Sequence, residues 1–187
     1  LSENSSHFRI SPALEISDNS AQIMAVWKET NGSQSQRGIT AQRLDSTGTR
    51  LWGSNGTPVV DMNSNYDYLD ISISKFDEDL IITYLEQSPN MVGDIYSKRL
   101  DSLGNMIWEN DPVIITNSNT QKSDVNAKDG VNCIFISWSE NGSIFAHCLR
   151  SDGSLGPPEI ITPINCDSGY VEIDGFCFYE NDIAVLQ

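Results

Sequence analysis

The sequence is short of positive charge, of histidine and of any helical rhythm, and each shortage excludes something. Lysine and arginine number 11 against 26 aspartates and glutamates, giving a net charge of −15 over 187 residues. Nucleic acid and anionic membrane are therefore poor partners, because like charges repel. His7 and His147 are the only histidines and no C-x-x-C occurs, so a zinc centre would lack ligands. No run of 18 apolar residues exists, and no membrane span is expected. G-x-S-x-G, H-E-x-x-H and glycine-rich phosphate loops are also missing. Acidic runs such as Asp77-Glu78-Asp79 say nothing about a glycosidase pair, whose carboxyls must meet in space. No catalytic residue and no cofactor are assigned, calcium excepted.

What is present is a repeat. AQRLDSTG (41–48) returns as SKRLDSLG (97–104) and more faintly as AHCLRSDG (146–153). An apolar run ending in an aromatic precedes each copy: IMAVW (23–27), LIITY (80–84) and CIFISW (133–138). DIAVL (182–186) reads as the start of a fourth. Leu44 to Leu100 is 56 residues and Leu100 to Leu149 is 49, a period in the range of propellers and solenoids.

Each repeat divides into four strands. The first alternates, as in Leu69-Asp70-Ile71-Ser72-Ile73, with apolar side chains at every second position. The second is apolar almost throughout, as in Leu80-Ile81-Ile82, and so is covered on both faces. The third, such as 95–100, alternates again, and the fourth is short, as in Pro58-Val59-Val60. Asp45-Ser46-Thr47-Gly48 and Asp101-Ser102-Leu103-Gly104 place Asp where it caps a type I turn and Gly where φ is positive. The expected fold is all-β: a β-propeller of four-stranded antiparallel blades, about three and a half of them present. Blade limits fall near 10–61, 62–116, 117–162 and 163–187, the last incomplete. Such a ring does not close comfortably, so either a longer chain or a partner is expected to supply the missing strands.

The apolar run with its Trp, then QRLDSxG, then Leu51, Trp52, Gly53, Asn55, Gly56 and Pro58 to Val60, resembles repeats of propeller-type secreted proteins of Bacteroidetes-like bacteria. Many of those are large exported proteins without an assigned activity. The resemblance implies a fold and an extracellular setting and specifies no reaction. The second copy (106–114) lacks both glycines, and the third has Gly156-Pro157-Pro158 in place of the Trp.

Three groups of residues are candidate features. If Ser139 to Gly142 form the hairpin connection, Trp138 faces Ser143, and counting outward sets Cys133 opposite Cys148, within reach of a disulfide. Cys166 and Cys177 are a second possible pair. Asp61, Asn63, Asn65 and Asp67 follow the one-three-five-seven rhythm of a calcium loop, although Tyr66 and Ser72 stand where Gly and Glu belong. Glu15, Asp70, Asn126 and Glu172 recur in the first strand; Glu15 precedes Trp27 by 12 residues and Asn126 precedes Trp138 by 12. On that count they would ring a central channel.

The function these readings favour is an extracellular or cell-surface binding or scaffold module, recognising protein or glycan through its loops. The competing reading is a carbohydrate-active propeller enzyme, glycosidase or lyase, with its site at the channel mouth.

Overall fold

A computed structural model describes residues 2–17, 21–130 and 132–156, with the backbone of 159–161, 170–173 and 176–179. Every regular element among these is a strand, and none is a helix that could cross a membrane. Sheet I is an antiparallel meander of β1 (Phe8–Ile16), β2 (Ile23–Thr30), β3 (Arg37–Leu44) and β4 (Thr57–Asn63). Sheet II repeats it with β5 (Asp67–Phe76), β6 (Asp79–Gln87), β7 (Gly93–Leu100) and β8 (Val113–Thr116). Sheet III comprises β9 (Lys122–Asp129), β10 (Ile134–Glu140), β11 (Ser143–Leu149) and β12 (Glu159–Ile161). A separate hairpin joins β13 (Tyr170–Ile173) to β14 (Phe176–Tyr179).

Register superimposes the repeats residue by residue. Ile23 pairs with Leu44, Leu80 with Leu100 and Ile134 with Leu149. Four residues further on, Trp27, Tyr84 and Trp138 are therefore equivalent, and all three are buried. The turn after each third strand closes in the same way, with Gly48, Gly104 and Gly153 donating to the carbonyls of Asp45, Asp101 and Arg150. Asp45 Oδ1 accepts from the Thr47 and Thr49 N–H groups, and Asp101 Oδ1 from those of Leu103 and Asn105. The Thr47 hydroxyl foremost, then these N–H groups, hold Asp45 below its ordinary pKa, and at Asp101 the bonds from Asn105 and Leu103 outweigh opposing burial with the same result.

The first strands run side by side, β1 against β5 and β5 against β9, and the sheets stack face to face. Sheet II lies in the middle. Leu80, Ile82 and Tyr84 pack with Met24, Val26 and Ile39 of sheet I, while Ile81, Leu85 and Ile95 pack with Ile134, Ile136 and Trp138 of sheet III. The continuous apolar run of β6 follows from this, since alternate side chains enter two different cores. The seams are also stitched by indoles. Trp52 Nε1 donates to Ser102 O at 3.0 Å and Trp108 Nε1 to Ser151 O at 3.0 Å, each reaching the turn of the next sheet. A Cβ on Gly104 would meet the Trp52 ring at 3.1 Å, so this glycine serves the close approach as well as its φ of 85°.

The β10–β11 hairpin corrects one expectation. Its connection is only Asn141-Gly142, with φ of 51° and 77°, the two positive values of a type I′ turn. Strand pairing thus runs out to Glu140 opposite Ser143, and Trp138 faces Phe145 and not Ser143. Cys148 consequently stands opposite Phe135. The Cys133–Cys148 disulfide nevertheless forms, across a diagonal, with Cα atoms 5.5 Å apart. Cys133 precedes β10 in a turn where Gly130 N–H donates to its carbonyl at 2.9 Å, off the line of the strand. Cys166 and the side chain of Cys177 lie outside the described residues.

Candidate functional site

Two residues beyond each equivalent aromatic stands a glutamate: Trp27-Lys28-Glu29, Tyr84-Leu85-Glu86 and Trp138-Ser139-Glu140. The row is written in the sequence as [WY]-x-E, just beyond the aromatic that ends each apolar run. The second strands carry all three glutamates to one end of the sheets, the end formed around sheet II by the connections 64–66 and 88–92. What each glutamate meets is set by the cross-strand residue on the first strand, which is Arg9 for Glu29, Tyr68 for Glu86 and Lys122 for Glu140.

In sheets I and III the carboxylate is satisfied internally. Glu29 accepts from the Thr40 hydroxyl at 2.7 Å, with Arg9 Nε at 3.9 Å and the His7 ring at 3.3 Å. Glu140 accepts from Ser118 Oγ at 2.5 Å, from the Thr120 hydroxyl and from Trp138 Nε1 at 2.9 Å. Burial opposes its ionisation, but these donors and the Lys122 ammonium outweigh burial and hold its pKa below the ordinary value. Lys122 is itself buried, and its Nζ donates to the carbonyls of Gly93 and Ser118 at 2.7 and 2.6 Å and to Thr120 O at 3.3 Å.

Sheet II differs. The first-strand partner of Glu86 is an uncharged phenol, and its third-strand partner is Asp94, where sheets I and III have Gly38 and Ser143. Burial raises the pKa of Glu86; the Tyr68 hydroxyl works against that rise, and Asp94 adds to it. Around the pair lie three tyrosines in contact, Tyr68 edge-on to Tyr84 at 5.8 Å and Tyr84 to Tyr96 at 5.9 Å. Tyr68 and Tyr96 are pushed up to about 12, first by burial and then, for Tyr96, by Asp94; Tyr84 is raised as well, chiefly by burial. Asn63 donates to the Tyr68 oxygen, and Tyr96 OH donates to Asp94 Oδ2 at 3.3 Å. Glu86, Asp94 and Tyr96 are partly exposed, and Tyr66 is exposed beside them.

These opposite environments predict opposite pH profiles. Glu140, with its folded pKa lowered, stabilises the protein above the ordinary carboxyl pKa, and that stability is lost as pH falls through the folded value. Glu86, with its folded pKa raised, costs stability once pH rises through the ordinary range, since ionisation is harder in the folded state. Glu140→Gln should therefore lower the melting temperature at pH 7, and Glu86→Gln should raise it. The Glu86 difference should shrink as pH falls through the ordinary carboxyl range, and the Glu140 difference should persist to lower pH before it shrinks. Thermal melts across that range check this, and a shift of the same sign for both variants would contradict it.

The residues anticipated as sites take the following places. Asn63 Oδ1 accepts from the Asn65 and Tyr66 N–H groups at 3.0 Å each, closing the turn into β5. Asp67 Oδ1 accepts from Tyr68 N at 2.8 Å and Lys28 Nζ at 2.9 Å, with Arg37 Nε at 3.6 Å. Asp61 lies in β4 and Asn65 in the connection.

The first-strand acids do not form one row, which corrects the count made from the aromatics. Glu15 pairs with Met24, so it matches Ser74 and Lys128; Asn126 pairs with Ser137 and matches Ser72 and Ala13. The count fails because the first hairpin connects through 17–22 and the third through 130–133. Asp70 sits in a bulge shared with Ser11 and Asp124, all three with φ between 47° and 57°. These acids join neighbouring strands: Asp70 Oδ2 accepts from Val125 N at 3.3 Å, and Glu15 lies 3.7 Å from Lys75 Nζ. Glu172 falls in β13, and its side chain lies outside the described residues.

No protein-family model, no curated protein and no solved structure matches the chain.

Proposed function

We propose that the chain is part of a β-propeller outside the cell or on its surface, and that it works as a binding module. The observation that carries the reading is the open end of sheet II. There a glutamate with a raised pKa, a second carboxylate and tyrosine rings meet solvent, at a position the flanking sheets neutralise for themselves. A partly exposed carboxyl with a perturbed pKa is a functional-site candidate. Loop ends held by a rigid sheet scaffold are common recognition surfaces. A disulfide between Cys133 and Cys148 suits an oxidising compartment.

The ring is supported by what the described residues leave uncovered on sheet I. Leu14 is 64 % and Ile23 38 % exposed, whereas their register equivalents Leu80, Ala127 and Ile134 are buried against the preceding sheet. Gly48 has nothing within 4 Å of an added Cβ, whereas Gly104 and Gly153 each receive a tryptophan from the sheet before. A further sheet, from a longer chain or a partner, would cover this face.

The reading is tested by screening immobilised protein against surface-protein extracts and a glycan array, in parallel with Glu86→Gln and Asp94→Asn. A retained ligand that both variants lose is the expected result; a ligand indifferent to both would move the site elsewhere. The enzymatic alternative draws on the same pair, since adjacent carboxyls with one pKa raised are the groups of a glycosidase. Glycan turnover abolished by Glu86→Gln would favour it.

A further inference from the structure

We propose that the open face of sheet I seats a further sheet of the same repeat, supplied by polypeptide that runs into residues 2–4. That sheet lays a tryptophan over Gly48 and sets its indole N–H on the Ser46 carbonyl. This rests on the ring reading above and names the residue by which the further sheet is recognised. Both internal seams are made in this way. Trp52 stands eight residues beyond Leu44 and Trp108 eight beyond Leu100, and each donates to the second residue of the following turn, Ser102 and Ser151. A Cβ on Gly104 would meet Trp52 at 3.1 Å and Thr57 Oγ1 at 2.8 Å; one on Gly153 would meet Trp108 and Val113 at 3.3 Å each. Thr57 and Val113 open β4 and β8, so an indole and the start of a fourth strand close each seam. The turn of sheet I is already built to receive them. Gly48 N–H donates to Asp45 O at 2.9 Å with φ of 83°, close to the 85° of Gly104 and Gly153. Yet Ser46 and Gly48 are exposed, and Leu14, Ile16 and Ile23, on the face turned away from sheet II, are 64 %, 62 % and 38 % exposed.

The occupant is specified by what these 187 residues cannot supply. Their four tryptophans are all engaged: Trp27 and Trp138 are buried, and Trp52 and Trp108 close the two seams. Residues 163–187 hold no tryptophan, and Pro157 stands eight residues beyond Leu149. Sheet III therefore brings no indole to a neighbour, whether in the same ring or in a second copy. The segment before β1 carries the join. Register aligns Arg9, Tyr68 and Lys122, and five residues before each begins an Asn-Ser pair, at 4–5, 63–64 and 117–118. Asn4 Oδ1 accepts from Ser6 N at 3.0 Å, as Asn63 Oδ1 accepts from Asn65 N at 3.0 Å. In the inner repeats this pair leads from a fourth strand into the next first strand, β4 into β5 and β8 into β9. Before β1 it has the same duty, and the sheet it leads from is the one that covers sheet I, since stacked repeats bury their faces against their neighbours.

Two readouts test this. Trp52 precedes Asn63 by 11 residues and Trp108 precedes Asn117 by 9, so the reading frame upstream should place a tryptophan 9 to 11 residues before Asn4. No tryptophan there would overturn the inference, while a repeat encoded there without it would leave the ring standing. The second readout is an amide NMR titration of this chain with an acetylated, amidated peptide of residues 49–60, the stretch that covers Gly104. The amides of Ser46, Thr47 and Gly48 should shift, and those of Gly104 and Gly153, already covered, should stay in place. The same peptide carrying Trp52→Ala should bind at least about tenfold more weakly, because the indole supplies most of the buried area. Equal effects of the two peptides, none included, or shifts spread over all three turns, would overturn the inference. So would shifts at Ser46 to Gly48 that grow with protein concentration alone, which would give the face to a second copy. None of these outcomes touches the open end of sheet II, where the absence of any Glu86-dependent ligand would refute the binding module by itself.

Discussion

Trp138→Ala is expected to lower stability by about 3–5 kcal/mol, the range for truncating a large aromatic in a packed core. Trp138 is buried in the seam between sheets II and III. It stacks on Phe145 and on His147 at centroid distances of 5.7 Å each. Its truncation would leave a cavity that two rigid sheets cannot collapse to fill. It would also remove the indole N–H that Glu140 Oε2 accepts at 2.9 Å, uncovering part of a buried carboxylate. Urea unfolding of the variant measures the loss. Wild-type stability would mean that the aromatic row does not lie between sheets, and the register relating the three repeats would fall with it.

Removal of the Cys133–Cys148 bond carries the second large effect. The bridge closes a sequence separation of 15 residues. The chain-entropy account assigns about 3 kcal/mol to a loop of that length, through restriction of the unfolded chain. A Cys133→Ser, Cys148→Ser double variant should lose about that amount by denaturant titration, and the loss should appear in wild type on reduction. Mass spectrometry of freshly purified protein under non-reducing conditions should find neither cysteine open to alkylation. Two alkylatable thiols would refute the bond and weaken the extracellular assignment.

The parts of this molecule legible in its sequence are those that repeat with a local physical cause. Asp-Ser-x-Gly specifies its own turn through the Asp45 and Asp101 carboxylates, and the apolar runs of β2 and β6 specify burial on both faces. Lengths and registers were harder. The Asn141-Gly142 dipeptide prescribes a two-residue loop, and the expected connection over Ser139 to Gly142 is two residues too long, which shifts the pairing of β10 with β11. The bulges at Ser11, Asp70 and Asp124 use Ser once and Asp twice, residues too frequent throughout the chain to mark an αL position. The glutamate row could have been found, since its spacing from the aromatic is constant. Its significance could not, because the distinction of Glu86 depends on Tyr68 and Asp94, which come from strands at different sequence distances.

Carboxyl carbon NMR titration of Glu29, Glu86 and Glu140 in one sample tests the central claim most directly: that two sheets balance their glutamate and one leaves it for a ligand. Glu86 should titrate above the ordinary value of 4.5 and Glu140 below it. A Glu86 midpoint at or below 4.5 would contradict the account.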